Sequence, residues 1–223
     1  MRSSEDKLLS NNETTRTKEL AEADTRQGLI LRCATVSDAS QIQAIYGPFC
    51  TNESAVSFEI VSPSVEEMAE RIRKVQENLP WLVATDGPTI LGYVYASEHK
   101  QRAAYRWSVD TAIYLHRDAR GKGIGKAMYQ SLFALLRLQR YVNACAGVTL
   151  PNPASVQLHL SSGFKQVGVF HQIGYKSGAW HDVAQFEMSL VPHQTEPPPP
   201  RRFEEIVRTS QAGAILGQPL AIL

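Results

Sequence analysis

Apolar positions along this chain switch between a period of two and a period near 3.6, and the switches mark its elements. Residues 29–34 read as a strand, and Ser37-Asp38 opens a helix whose apolar positions Ile42, Ile45 and Phe49 recur at helical spacing. Ser64 followed by Glu67 is a capping box, and Val65, Met68, Ile72 and Val75 share a face of the helix it starts. Residues 81–85 and 89–97 form two strands joined by Asp86-Gly87, a hairpin-type dipeptide. A strand over 109–115 ends at a glycine-rich turn, from which a helix runs over about 124–139 to a strand at 142–148. Asn152 as N-cap and Pro153 at the first helical position open a short helix that stops near Gly163. Strands at 164–171 and 182–190 finish the pattern, connected through the turn-rich segment 174–180. The order is β-αα-βββ-α-β-α-ββ, an α+β chain of about seven strands and about four helices without internal repeats.

The ends depart from this pattern. Residues 1–27 mix Ser, Asn, Thr, Glu and Lys with few apolar positions, too few to offset the entropy of ordering, so they read as a disordered extension. They contain no apolar core of a secretory signal, and Glu5, Asp6, Glu13, Glu19, Glu22 and Asp24 are wrong for a mitochondrial presequence. No stretch approaches the roughly 20 apolar residues that span a membrane. Pro197 to Pro200 continue neither strand nor helix and mark a boundary, leaving a domain over 28–191 and a proline-rich tail over 192–223. Within that tail 203–208 suits a short helix, and 212–223 is apolar enough to dock at a place the sequence leaves open.

Composition narrows the class. With 223 residues, 43% of them hydrophobic, and a net charge of +1, the chain reads as one soluble domain plus extensions. That balance argues against a nucleic-acid binder working through a broad basic surface. Cys33, Cys50 and Cys145 have no metal-ligand spacing, and their odd number suits reduced thiols in a cytoplasmic setting, with no metal and no disulfide framework.

Chemistry concentrates in Arg120-Gly121-Lys122-Gly123-Ile124-Gly125-Lys126. Three glycines let backbone N–H groups close on an anion, the following helix presents its positive end, and Arg120, Lys122 and Lys126 add charge. The spacing is not a Walker loop: only three residues separate Gly121 from Gly125, and Ala127 stands where a magnesium-binding hydroxyl belongs. Nor is it G-x-G-x-x-G, because Lys126 or Met128 takes the place of the third glycine. The run is similar to R-G-x-G-x-G, the acyl-CoA pyrophosphate loop of the GNAT N-acetyltransferases. Across about 29–190 the element order resembles that family too. Several segments resemble its phosphinothricin N-acetyltransferase group more narrowly: Pro80-Trp81-Leu82-Val83-Ala84, Tyr105-Arg106-Trp107-Ser108-Val109-Asp110, Leu150-Pro151-Asn152, Gly174-Tyr175-Lys176 and Gly178-Ala179-Trp180-His181-Asp182-Val183.

The resemblance implies a mixed, mostly antiparallel sheet splayed between its fourth and fifth strands, acetyl-CoA as donor, no metal, and a small amino acid or amino-acid-like antimetabolite as acceptor. It also implies donor contacts from the backbone of Ile113, Tyr114 and Leu115, from Arg120 to Lys126 including Gly121, Lys122, Gly123, Ile124 and Gly125, and from Asn152. Members of the family are often homodimers. For the chemistry, Asp110 is the candidate base, since an acid inside a β-rich run needs a partner or a task; the competing reading pairs it with Arg106. The group resembled carries Glu there, so Asp110 is one methylene shorter and a relaying water would restore its reach. His159 stands where a group able to protonate the departing thiolate is expected, with a structural histidine as the alternative. Phe58, Tyr105 and Trp107 are the aromatic candidates for the acceptor, with Arg106 or Arg102 to meet its carboxylate. A polyamine or protein N-terminus as acceptor, and a non-catalytic acyl-CoA-binding module, are the other readings; acidic channel residues would favour a polyamine, and between Cys50 and Glu59 only Glu53 and Glu59 qualify.

Overall fold

Strand β2 (Trp81–Asp86) is buried along its first five residues, the first four of them apolar, a run that demands a layer on each face of its sheet. The computed structural model describes residues 28–220, so the extension expected over 1–27 lies outside the described residues. One seven-stranded sheet has the order β1-β2-β3-β4-β5-β7-β6. Its strands are β1 (Ile30–Cys33), β2, β3 (Thr89–Glu98), β4 (Ser108–Leu115), β5 (Asn143–Thr149), β6 (Lys165–Lys176) and β7 (Ala179–Ser189). All neighbours are antiparallel except β4 and β5. Those two run parallel only where Ser108–Asp110 face Asn143–Cys145, and then separate, so the last five residues of β4 have no strand on that side. The sheet is therefore splayed where the sequence led us to expect.

Helices α1 (Ala39–Tyr46) and α2 (Val65–Gln76) cover one face, with Ile42, Met68 and Ile72 on Trp81, Val83 and Tyr93. The capping box at Ser64 forms as read: Glu67 N donates to Ser64 Oγ at 3.1 Å and Ser64 N to Glu67 Oε2 at 2.7 Å. Helix α3 (Ile124–Leu138) covers the other face, burying Met128, Leu132, Leu135 and Leu136 against Leu82, Val94, Val109 and Ala144. Helix α4 (Pro153–Ser161) packs beside it.

The structure corrects several local readings. Ser37 and Asp38 lie in a 3-10 turn capped from Thr35, and α1 begins only at Ala39. Val65 is 38% exposed rather than on the buried face of α2. Asp86 pairs with Thr89, which leaves Gly87-Pro88 as the hairpin loop. Segment 174–180 is mostly strand: β6 and β7 extend to a two-residue turn at Ser177-Gly178, where both φ angles are positive (+56° and +78°), as the right-handed twist of a hairpin prefers.

The docking place that the sequence left open is the α3 face. Phe203, Ile206 and Ala212, from α5 (Phe203–Ile206) and α6 (Ser210–Gly213), are buried in the same core as α3, and Gly217 N donates to Leu31 O on the β1 edge. Gln139, fully buried, ties the polyproline segment in through its Nε2, which donates to Asn78 O and Arg201 O. No helix among the described residues is long and apolar enough to cross a membrane.

Candidate active site

The turn after β4 is shaped by glycine. Gly121 (φ +72°) and Gly123 (φ +78°) occupy the left-handed region that side-chain-bearing residues avoid, and Gly123 is the N-cap of α3. No side chain caps this helix, so the first-turn amides of Ile124, Gly125 and Lys126 keep the free donors every helix start has. Gly125 is needed for a different reason. A Cβ there would lie 3.2 Å from side-chain atoms of both Leu115 and Leu158, so its absence lets the helix start sit close against β4 and α4. Arg120 leans back over the turn, its Nε donating to Leu115 O at 3.3 Å and its guanidinium 5.5 Å from the Phe49 ring centre. Lys122 is exposed and Lys126 half-buried. Next to the turn runs the unpaired edge of β4, carrying Ile113, Tyr114 and Leu115, and across the splay stands Asn152, whose Oδ1 caps α4 by accepting from Ser155 N at 3.1 Å. A long ligand with an anionic end fits this arrangement: the turn and helix amides suit a diphosphate, and the open strand edge suits an amide-bearing arm.

Asp110 sits where β4 and β5 part. Its partner is His99, not Arg106: Nδ1 of His99 lies 2.8 Å from Oδ1 of Asp110. Arg106 instead donates from Nε to Ala103 O and lies over the Trp107 ring. Cys145 faces the same place, and one ligand atom each from His99, Asp110 and Cys145 fall within 4.8 Å of one another. Burial, with Asp110 nearby, pushes the Cys145 thiol up to about 11, so it stays protonated and adds no competing charge.

On the same face, Ala112 is opposite Tyr95 and Tyr114 opposite Tyr93. Between them and α2 opens a recess of about 120 Å³ lined by Tyr46, Met68, Arg71, Val75, Trp81, Tyr93 and Tyr95. Trp81 stacks on Tyr95 at 4.3 Å, and its buried indole Nε1 has no hydrogen-bond partner among the described residues. An unmet buried donor is rare in folded proteins. At the rim, Arg71 donates twice to Glu59, at 2.7 and 3.1 Å, and Tyr46 donates to the same carboxylate at 3.0 Å. Burial opposes the charge of Glu59, but these partners outweigh it and hold the carboxyl below its usual range.

The other aromatic candidates separate. Tyr105 turns its ring edge-on to His99, 5.8 Å between centroids, and so belongs to the Asp110 cluster. Trp107 does not: its Nε1 donates to Pro198 O at 2.9 Å, binding the C-terminal segment to the domain. Phe58 lies on the β6–β7 hairpin, close enough to Gly174 that a Cβ there would overlap its ring. Its loop is held by Lys176, 2% exposed, whose ammonium donates to the carbonyls of Phe49, Ser57 and Glu59 at 2.9, 2.7 and 2.9 Å. Sequence reasoning missed this lysine, as it missed His99, Arg71 and Trp81 as site-lining residues. Only His99 had a legible signal, the strand parity that puts it on one face with Tyr93, Tyr95 and Ser97.

His159 is buried in the core with both ring nitrogens engaged, Nε2 with the Tyr129 hydroxyl at 3.0 Å and Nδ1 with Ser155 O at 2.7 Å. To pass a proton to a departing sulfur it would have to abandon one of those bonds, so the geometry gives it a packing and bridging part. Burial holds its pKa below the ordinary imidazole value of 6.5, against a smaller opposing pull from the Ser155 carbonyl. Below pH 6.5 the unfolded chain therefore takes up a proton that the folded chain refuses, and stability falls as pH drops toward the lowered value. Urea unfolding from pH 7.5 to 5 is expected to show a steeper loss in the wild type than in His159→Gln, which has no imidazole to titrate. Parallel losses would disprove it.

A family model described as acetyltransferase (GNAT) domain matches residues 31–184. A phosphinothricin N-acetyltransferase of Alcaligenes faecalis is 35% identical over 178 residues, covering 76% of this chain and 90% of that protein. An L-methionine sulfoximine/L-methionine sulfone acetyltransferase of Pseudomonas aeruginosa is 30% identical over 168 residues, 75% of this chain and 98% of that one. Among solved structures, a GNAT superfamily phosphinothricin acetyltransferase from Sinorhizobium meliloti in complex with AcCoA is similar at a TM-score of 0.73 and 32% identity, covering 81% of this chain and 98% of that one.

Proposed function

We propose, from the premise that this chain belongs to the GNAT acetyltransferase family, that it transfers the acetyl group of acetyl-CoA to the amine of a small amino acid or amino-acid-like antimetabolite of the phosphinothricin or methionine sulfone type. One observation carries the reading. The turn with Gly121 and Gly123 at positive φ, feeding the uncapped start of α3, stands beside the free edge of β4, and Asp110 lies on that same strand. Donor binding is therefore assigned to residues 120–126, to the backbone of Ile113, Tyr114 and Leu115, and to Asn152.

The donor supplies an acyl group activated as a thioester. The chain must supply a neutral nitrogen, and at pH 7 only about a tenth of an amine with pKa ~8 is neutral. Asp110 takes the ammonium proton, directly or through one water, and the freed lone pair attacks the carbonyl carbon while both substrates are bound. As the C–N bond forms and the C–S bond breaks, the nitrogen sheds its second proton and the departing thiolate takes it up, leaving the amide and free CoA thiol. Alignment of the two substrates by the strand edge and the recess contributes much of the acceleration. The acid end of the acceptor is assigned to the recess, where the Arg71 guanidinium, which has N–H groups beyond the two given to Glu59, stands between tyrosine walls.

The polyamine reading needs uncompensated acid near the acceptor. Glu59 does not provide it, being paired with Arg71 and adjacent through its carbonyl to the Lys176 ammonium. A second copy of the chain is the occupant assigned to the outer β6–β7 surface, where Phe170, Ile173, Tyr175 and Trp180 are each more than half exposed. Released CoA thiol, measured over free amino acids including methionine sulfone and phosphinothricin, is expected to show turnover with a subset of them. Turnover only with a polyamine or a peptide N-terminus, or acetyl-CoA binding without any turnover, would overturn the assignment.

A further inference from the structure

The geometry points to His99 as the positioning residue of the proton acceptor: its Nδ1–H holds one carboxylate oxygen of Asp110 and thereby aims the other at the amine. The inference rests on Asp110 being that acceptor. Antiparallel pairing of β3 with β4 sets Ser97 opposite Asp110 and Glu98 opposite Val109, so His99, one residue past the end of β3, falls on the Asp110 face. The 2.8 Å contact to Oδ1 is the only hydrogen bond of this carboxylate among the described residues, and Oδ2 has no partner there. An ionised carboxylate only accepts, which fixes the proton on Nδ1.

The imidazole is itself held in place. Tyr105 meets it edge-on at 70°, and the Lys100 ammonium lies 5.0 Å from the Tyr105 ring centre on a face of that ring. The side chain of His99 is 23% exposed while that of Asp110 is 44% exposed, so the carboxylate faces solvent and the imidazole supports it from the more enclosed side. A short side chain with one oxygen tethered loses the freedom to swing out of line. His99 also lines a cleft of about 370 Å³ between the β3–β4 connection and residues 199–202, which lie beyond the stretch that matches the family model.

The test uses the full chain, with two readouts. In turnover assays with the best amino acid of the panel, His99→Phe and His99→Gln are expected to lower kcat about 10-fold or more, the size expected when a hydrogen bond to a charged group is lost, with KM for acetyl-CoA unchanged. His99→Asn, whose amide nitrogen falls near the Nδ1 position, should stay within about 3-fold of wild type, the cost of an imperfectly placed donor. In an Asp110→Ala background, His99→Phe should add nothing. Equal losses in the Asn and Phe variants, or losses that multiply with Asp110→Ala, would overturn the inference. Independently of activity, ¹⁵N shifts of the imidazole should report the Nδ1–H tautomer in wild type and its loss in Asp110→Ala. An unchanged tautomer also overturns it. A wild type with the expected tautomer but no turnover on any amino acid would mark failure of the functional reading, and it would reduce His99 to a structural contact.

Discussion

Replacing Asp110 with alanine is expected to lower kcat for amine acetylation by about 100-fold at pH 7, equivalent to ~2.7 kcal/mol of barrier, while leaving acetyl-CoA affinity unchanged. Two losses combine. Without the carboxylate, a bound ammonium has no path by which to lose its proton, so only about a tenth of the amine, the share already neutral at pH 7, reacts, and the proton shed during attack no longer has a positioned acceptor. The first loss disappears once pH passes the amine's own pKa, so the deficit should shrink to about 10-fold by pH 9. Donor affinity should hold because the carboxylate stands on β4 away from the glycine turn, at the end of the strand where β5 still pairs. Its side chain is 44% exposed, so removing it leaves no buried charge unpaired and the fold should persist. Initial rates from pH 6 to 9.5 in both proteins decide the matter: parallel profiles would dismiss Asp110 as the acceptor.

What the sequence made legible is what short-range chemistry dictates. The Ser64–Glu67 capping box, the Asn152 cap with Pro153 behind it and the glycine turn are all written within a few neighbouring residues, and each appears where it was read. What escaped depends on distant pairing. Trp107 reads as an acceptor-site aromatic until residues 91 positions later supply Pro198 O. Lys176 looks like a solvated loop lysine, yet three carbonyls from 117 to 127 positions earlier converge on it. His159 lies between Leu158 and Leu160 on a helix whose apolar residues mark no single inward face, so nothing local says that the imidazole, and not a leucine, turns into the core. The β6–β7 extension was hidden by its own exposure. Tyr175 and Trp180 are 61% and 59% exposed, and among turn-forming residues they read as loop. His99 is intermediate: its face follows from strand parity, but its partner follows only from the register of β3 with β4.

Gly123→Val is expected to weaken acetyl-CoA binding by at least about 100-fold, ~2.7 kcal/mol, with the fold retained at 25 °C. At φ +78° a β-branched residue is a steric outlier costing about 1–3 kcal/mol, and the chain can relieve that only by turning the peptide units that lead into α3. Those units carry the donors assigned to the diphosphate. The new side chain also enters the space in front of them, so affinity falls both by misdirected amides and by obstruction. Two controls separate these causes from general damage. Gly87→Val places the same strain at φ +53° in the β2–β3 hairpin, where an added Cβ would meet nothing within 4 Å, so it should lower stability comparably and leave donor affinity intact. Gly123→Asn relieves most of the backbone strain, since asparagine tolerates the left-handed region, yet keeps the obstruction, so its affinity should fall between wild type and valine. Calorimetric titration with acetyl-CoA reads all three. Wild-type affinity in Gly123→Val, or a fall in Gly87→Val equal to it, would detach the glycine turn from the donor and remove the observation on which the proposed function rests.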